Sequence, residues 1–177
     1  MKKIILAVVI IIILCGAGYL VQQKMVKAPV TNTNAKNATY IIDGKSFTLV
    51  NGKSETKITA GSASKTITQY FGNEVVADFN GDGAEDTAFL LTQNSEGSGT
   101  FYYVAAFVSL EGGYKGTNAI LLGDRIAPQT TEFKNGEIVV NYAIRALDEP
   151  MTATPSLGVS KYFRIEEGKL LEFYHKY

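Results

Sequence analysis

From Thr39 onward, hydrophobic and polar positions alternate in short runs, and glycine-bearing turns separate the runs. "TYIIDGKSFTLVNGKSE" carries Asp43-Gly44 and Asn51-Gly52, both two-residue signals for a hairpin. "EVVADF", "DTAFLLTQ" and "GTFYYVAAFVSL" predict strands, the last being the longest candidate. "TNAILLGD", "TEFKNGEIVVNYAI" and "KYFRIEEGKLLEFY" continue the series, and Asn135-Gly136 and Glu167-Gly168 turn two further hairpins. "SKTITQYFG" fits either a strand or one short helix. Roughly nine or ten strands at about 8–12-residue spacing predict an all-β fold. The expected architecture is a single antiparallel sandwich or barrel-like domain over residues 39–177.

The N-terminus follows another pattern. Lys2 and Lys3 precede 18 uncharged, largely apolar residues, Ile4 to Val21. A spanning helix needs roughly 20 residues and a signal-peptide core about 7–15, so residues 1–21 read as a signal peptide or transmembrane anchor. Three fates follow: a retained anchor, cleavage near Cys15-Gly16-Ala17, or lipidation of Cys15. Leu14 stands against the last, because a small residue is expected before a lipidated cysteine. Each fate holds Lys2 and Lys3 inside and places the body outside the cytoplasm, in the periplasm or at the cell surface. Lys24 and Lys27 weaken that orientation without reversing it. Residues 22–38 are polar, with one proline and no hydrophobic period, and read as a flexible tether.

Charge changes the picture in one respect. The chain has 17 basic and 17 acidic side chains, but four lysines and no acid lie within residues 1–27, leaving a body of net −4. An acidic body without a basic cluster excludes nucleic acid, whose binding depends on neutralising phosphates. The single cysteine, Cys15, lies in the apolar run, so the body holds no disulfide and no thiol chemistry.

The acid is concentrated. In "EVVADFNGDGAEDTAFLL", positions 1, 3, 5 and 9 of a turn starting at Asp78 are Asp78, Asn80, Asp82 and Asp86, with Ala84 at position 7. Gly81 and Gly83 stand between, where the chain bends sharply. A hard cation such as Ca²⁺ takes six to eight oxygens at about 2.3–2.6 Å. Oxygen side chains alternating along a tightly wound loop, with the carbonyl of Ala84, supply such a set. Plain turn chemistry also favours Asp, Asn and Gly, but a turn needing no metal has little use for Asp at positions 1, 5 and 9 together. The expected cofactor is one Ca²⁺, structural in preference to ligand-mediating, held at about 10⁻⁴–10⁻³ M as in extracellular modules.

An EF-hand closes with Glu at position 12, which here is Phe89, and the flanks look extended. The pattern closed at position 9 instead resembles the strand–loop–strand calcium sites of FG-GAP and VCBS-type repeats, as in integrin α-subunit propellers. The resemblance covers "VVADFNGDGAEDTAF" and a single copy, in a body too short for a full propeller. It implies side-chain ligands Asp78, Asn80, Asp82 and Asp86 and the carbonyl of Ala84. The wider text, from "YFGNEVVADF" through "LLGDRIAPQTTE", is similar to a group of small bacterial envelope proteins, which implies an extracytoplasmic β domain and no activity.

Other candidates carry less. His175, the only histidine, is the third residue from the end and reads as part of a frayed terminus, so histidine-based triads and zinc sites are excluded. Asp124-Arg125 reads as a strand-end turn with a local ion pair, and residues 145–156, with Asp148 and Glu149, as an exposed connection. Glu132, Glu137 and Glu149 have no context that marks a hydrolytic pair. "FYYVAAF" at strand spacing alternates between core and surface more readily than it builds a sugar platform. The chain therefore reads as a non-enzymatic binding or structural module at the bacterial cell envelope, membrane-associated through its N-terminal segment, with a protein or glycan ligand unidentified. The alternative is a hydrolase or hydrolase-associated domain acting on envelope polysaccharide.

Overall fold

The computed structural model describes residues 34–58, 64–95, 97 and 99–175. Among them no helix is long and apolar enough to cross a membrane. The predicted anchor over residues 1–21, with Cys15, and the tether as far as residue 33 lie outside the described residues.

Twelve strands are described: β1 (Thr39–Ile42), β2 (Lys45–Thr48), β3 (Lys53–Lys57), β4 (Lys65–Ala77), β5 (Asp86–Ser95), β6 (Phe101–Leu110), β7 (Gly113–Gly116), β8 (Ile120–Asp124), β9 (Ala127–Lys134), β10 (Glu137–Ile144), β11 (Leu157–Glu166) and β12 (Lys169–Phe173). The fold is all-β, built on a curled antiparallel sheet that forms a half-barrel. Strands β3-β4-β5-β6-β7 run in order, and β8 takes the other half of the β6 edge. A four-stranded sheet, β12-β11-β10-β9, and the β1–β2 hairpin complete the body.

Turn chemistry sets the hairpins. Asp43-Gly44, Asn51-Gly52, Asn135-Gly136 and Glu167-Gly168 each hold two successive positive-φ residues, the geometry whose twist matches flanking strands. Asn51-Gly52 closes only the Val50–Lys53 bridge, after which β2 and β3 enter different sheets. "SKTITQYFG" is a strand, continuous with "EVVADF" in the 13-residue β4. That strand is longer than β6 because a bulge at Gly72 (φ 101°) and Asn73 (φ 50°) lets it bend and continue.

Packing explains why β5 and β6 are apolar without alternation. Ala88, Leu90, Val104, Ala106 and Val108 face the four-stranded sheet, where they meet Ile138, Val140, Tyr142, Phe163 and Leu170. Phe89, Leu91, Tyr103, Ala105 and Phe107 face the β1–β2 hairpin and pack with Tyr40, Ile42 and Leu49. From Tyr102 onward the stripe "FYYVAAF" thus alternates between two cores, with Phe101 left exposed, and the expectation of a surface face is corrected over Tyr103–Phe107. A strand pair covered on both sides has no use for a polar row.

The hairpin docks through backbone bonds. Ile41 donates to the Thr117 carbonyl at 3.3 Å, and Ala119 donates to Ile41 at 2.7 Å. Gly116 has to be glycine there, since a Cβ would meet the Tyr40 ring at 2.6 Å. Residues 34–38, placed in the tether by sequence, are bonded into this body: Gly52 donates to Lys36 at 2.8 Å and Leu49 to Ala38 at 2.9 Å. His175, expected on a frayed end, is held by Glu137 at 3.0 Å and packs edge-on to Tyr162 with centroids 4.5 Å apart.

Asn118 closes the gap between β8 and β12. Its Nδ2 donates to the Leu170 carbonyl at 2.9 Å, and its Oδ1 accepts the Leu170 N–H at 3.0 Å. One side-chain amide thereby stands in for a strand partner. Asn118→Ala leaves both Leu170 groups without these bonds and is expected to destabilise the fold by about 1–3 kcal/mol in chemical denaturation. An unchanged midpoint would show that the sheets do not depend on this bridge.

Candidate metal centre

The acidic loop spans the turn from the end of β4 at Ala77 to the start of β5 at Asp86. Strand alternation continues into it: Val75 and Ala77 pack against the inter-sheet core, and Phe79 buries its ring there, 5.1 Å from that of Phe133. Gly81 (φ 79°) and Gly83 (φ 85°) then wind the chain back. Positive φ at both positions favours glycine, and it winds the chain tightly around Asp82, which stays exposed.

Asp78 is the hub of the turn. Its Oδ1 accepts from Gly81 N at 2.7 Å and Asp82 N at 3.2 Å, and its Oδ2 accepts from Gly83 N at 2.9 Å. Asn80 Oδ1 accepts from Asp82 N at 3.0 Å, and Asp82 Oδ1 accepts from Ala84 N at 2.8 Å. Asn80 also donates to Asp82 Oδ2 at 3.3 Å and to the Ser109 carbonyl at 2.7 Å. Asp78, Asn80, Asp82 and Ala84 are therefore gathered in one hydrogen-bonded turn.

Asp86 lies beneath it and has no exposed surface. Its Oδ2 accepts from Phe79 N at 2.9 Å and its Oδ1 from Ser109 N at 2.7 Å. The carboxylate thus joins both ends of the loop to β6. Ser109, with its N–H on Asp86 and its carbonyl on Asn80, is the partner that sequence reasoning missed. A serine at a strand end carries no signal of that role.

Electrostatics follow the burial. Desolvation pushes the Asp86 carboxyl above the ordinary aspartate value, the N–H groups of Ser109 and Phe79 oppose this, and the charges of Asp82 and Asp78 add to the rise. Asp82 is held below its ordinary value, first by the Ala84 N–H, against desolvation, then by Ser109 and Asn80. The charges of Asp82 and Asp78 thus bear on the buried Asp86, in a loop wound by glycine.

The donor chemistry fits a hard cation. Each carboxylate oxygen that accepts one N–H retains a second lone pair, and every candidate ligand atom is oxygen. In the arrangement described, those oxygens face backbone N–H groups, and among the described residues no three acidic, histidine or cysteine side chains are set to enclose a metal ion. Asp78, Asn80, Asp82 and Asp86, with Ala84, would hold the ion. It would supply positive charge where the loop has none of its own.

The other candidates fall elsewhere. Arg125 (φ 48°) bonds Asp124 through Nε at 3.0 Å and Nη2 at 2.7 Å, the local pair expected at that turn. Glu137 is buried, and although desolvation pushes it up, Arg164 and His175 hold it below the ordinary glutamate value. Glu149 accepts from Ala146 N at 2.9 Å within its own loop, and Glu132 accepts from the Thr130 hydroxyl at 2.8 Å.

Fold and loop together define an all-β domain with a curled antiparallel sheet and an amide-pinned acidic turn at one end. No protein-family model, curated protein or solved structure matches the chain.

Asp86→Ala orphans the N–H groups of Phe79 and Ser109 and is expected to cost about 2–4 kcal/mol even without metal. Denaturant unfolding in chelator checks this, and a cost near zero would show that the carboxylate does not pin the loop.

Proposed function

We propose that this chain is a calcium-stabilised, extracytoplasmic binding or structural module of the bacterial cell envelope, acting without catalysis. The observation that carries this reading is the wholly buried Asp86 carboxylate, bonded among the described residues to the Phe79 and Ser109 amides, with the charges of Asp82 and Asp78 acting against it in one wound turn. A divalent cation relieves that repulsion. The apolar N-terminal run supports placement outside the cytoplasm, either tethered to the membrane or secreted. At the concentration of calcium outside cells, a site of about 10⁻⁴–10⁻³ M would be filled and would serve as a clip.

The test is thermal unfolding of the full-length chain in detergent, in chelator and in about 10 mM calcium. Saturation about 10–100-fold above Kd stabilises by about 1.4–2.7 kcal/mol, which raises Tm on the order of 3–10 °C. Asp82→Ala removes that rise and leaves the chelator Tm nearly unchanged, because Asp82 is exposed. The pH dependence has a definite sign. A carboxyl whose folded pKa is raised, as for Asp86, contributes stability at low pH and loses it as pH rises through the folded value. Calcium binds the ionised form and offsets that loss, so its increment is full at neutral pH and fades as pH falls through the Asp86 range. Identical melting with and without calcium would overturn the metal assignment.

A further inference from the structure

Strand β3 covers only the first part of β4, its register ending at Lys53 opposite Gln69. Just beyond, β4 carries its bulge at Gly72 and Asn73. A bulge unpairs one residue and re-aims the side chains around it. Here it borders a groove of about 670 Å³ whose lining includes Asn51, Gln69, Phe71 and Asn73. A second hollow of about 390 Å³ shares Lys36, Tyr70 and Glu74 with the first and reaches Tyr114.

The lining has a distinctive chemistry. Phe71 is 47% exposed and Tyr114 45% exposed, and Tyr114 stacks on Phe107 at 5.2 Å and 15°. Tyr114 shares the hairpin face of the sheet with Tyr70, while Phe71 lies edge-on to Tyr102 at 5.3 Å on the other face, so the two exposed rings flank the open edge of β4. Between them, Tyr70 donates its hydroxyl to Glu74, and the Lys36 ammonium stands 4.8 Å over the Tyr70 ring with no ion-pair partner among the described residues. The Asn73 Nδ2 is buried with no hydrogen-bond partner, an expense in a strand unless something accepts from it.

We propose that these joined grooves form a saccharide-binding cleft that takes a polysaccharide chain. The proposal rests on the binding-module reading and names its ligand class. A pyranose offers two apolar C–H faces and a rim of hydroxyls, which match exposed rings separated by amide, ammonium and carboxylate groups. An extended peptide is matched less well, because recognition by strand addition uses apolar pockets for alternate side chains. The groove offers one exposed aliphatic side chain, Val76. Nucleic acid is excluded by the net −4 of the body.

The test is calorimetric titration of the full-length chain in detergent with two probes, a neutral hexosamine oligomer and a uronate oligomer. Binding of either supports the cleft, and a preference for the uronate that is lost in Lys36→Gln assigns the acidic class. Phe71→Ala and Tyr114→Ala are each expected to weaken binding roughly 3- to 10-fold. Both residues are half-exposed, so the fold tolerates the change, and unchanged melting verifies it. Tyr174→Ala, at a residue 81% exposed just past the end of β12, leaves affinity unchanged. Heat from neither oligomer, binding that survives both aromatic substitutions, or binding of an unstructured peptide instead overturns the proposal. Saccharide binding with no calcium effect on melting would leave the cleft and remove the metal, and a calcium effect without saccharide binding would do the reverse.

Discussion

A carboxylate removed from water is costly unless both oxygens are bonded, and Asp86 is the group on which this end of the molecule depends. It has no exposed surface, and its two oxygens take the N–H groups of Phe79 and Ser109. One bond fixes the entry of the acidic turn and the other fixes the turn to β6. The Phe79 ring, sunk between the sheets, sets the depth. With these anchors in place, Asp78 and Asn80 can organise the rest of the turn through its own amides, and Gly81 and Gly83 permit the winding. The arrangement concentrates negative charge with only N–H dipoles to meet it, which is the physical basis for proposing a cation.

Around that turn, the architecture is governed by the double burial of β5 and β6. Packing on both faces fixes these strands, and the hairpin and the four-stranded sheet are each fitted to one side of them. The edges are managed separately. Strands β7 and β8 share one edge of β6, Asn118 links β8 to β12, and β3 leaves the bulged half of β4 to border open grooves. Structural economy is thus high at the centre and relaxed at the β4 edge, where the proposed recognition chemistry lies.

Local physics made the hairpins legible in the sequence. Asp43-Gly44, Asn51-Gly52 and Asn135-Gly136 put residues that tolerate positive φ where the turn requires them. Non-local physics hid the rest. The union of "SKTITQYFG" and "EVVADF" depends on a bulge at Gly72-Asn73 that alternation reads as a break. Strand β7 is four residues with three of them exposed, so it leaves no hydrophobic trace. The two-sided burial of "FYYVAAF" follows from which elements cover β6, and the restraint of His175 depends on Glu137, 38 residues away in sequence. Within the candidate site, the spacing of Asp78, Asn80, Asp82 and Asp86 was visible in the sequence. The contribution of Ser109 was not, because it comes from its backbone.

The proposal of a cation stands or falls on whether the turn from Asp78 to Asp86 takes up one divalent ion. An amide-resolved nuclear magnetic resonance titration of the full-length chain with calcium tests it most directly. Saturable shifts are expected at Phe79, Gly81, Asp82, Gly83, Ala84 and Ser109, with one ion bound per chain and little change in the four-stranded sheet. Amide signals at those six positions that stay unmoved to about 10 mM calcium, well above the range expected for extracellular sites, would contradict it.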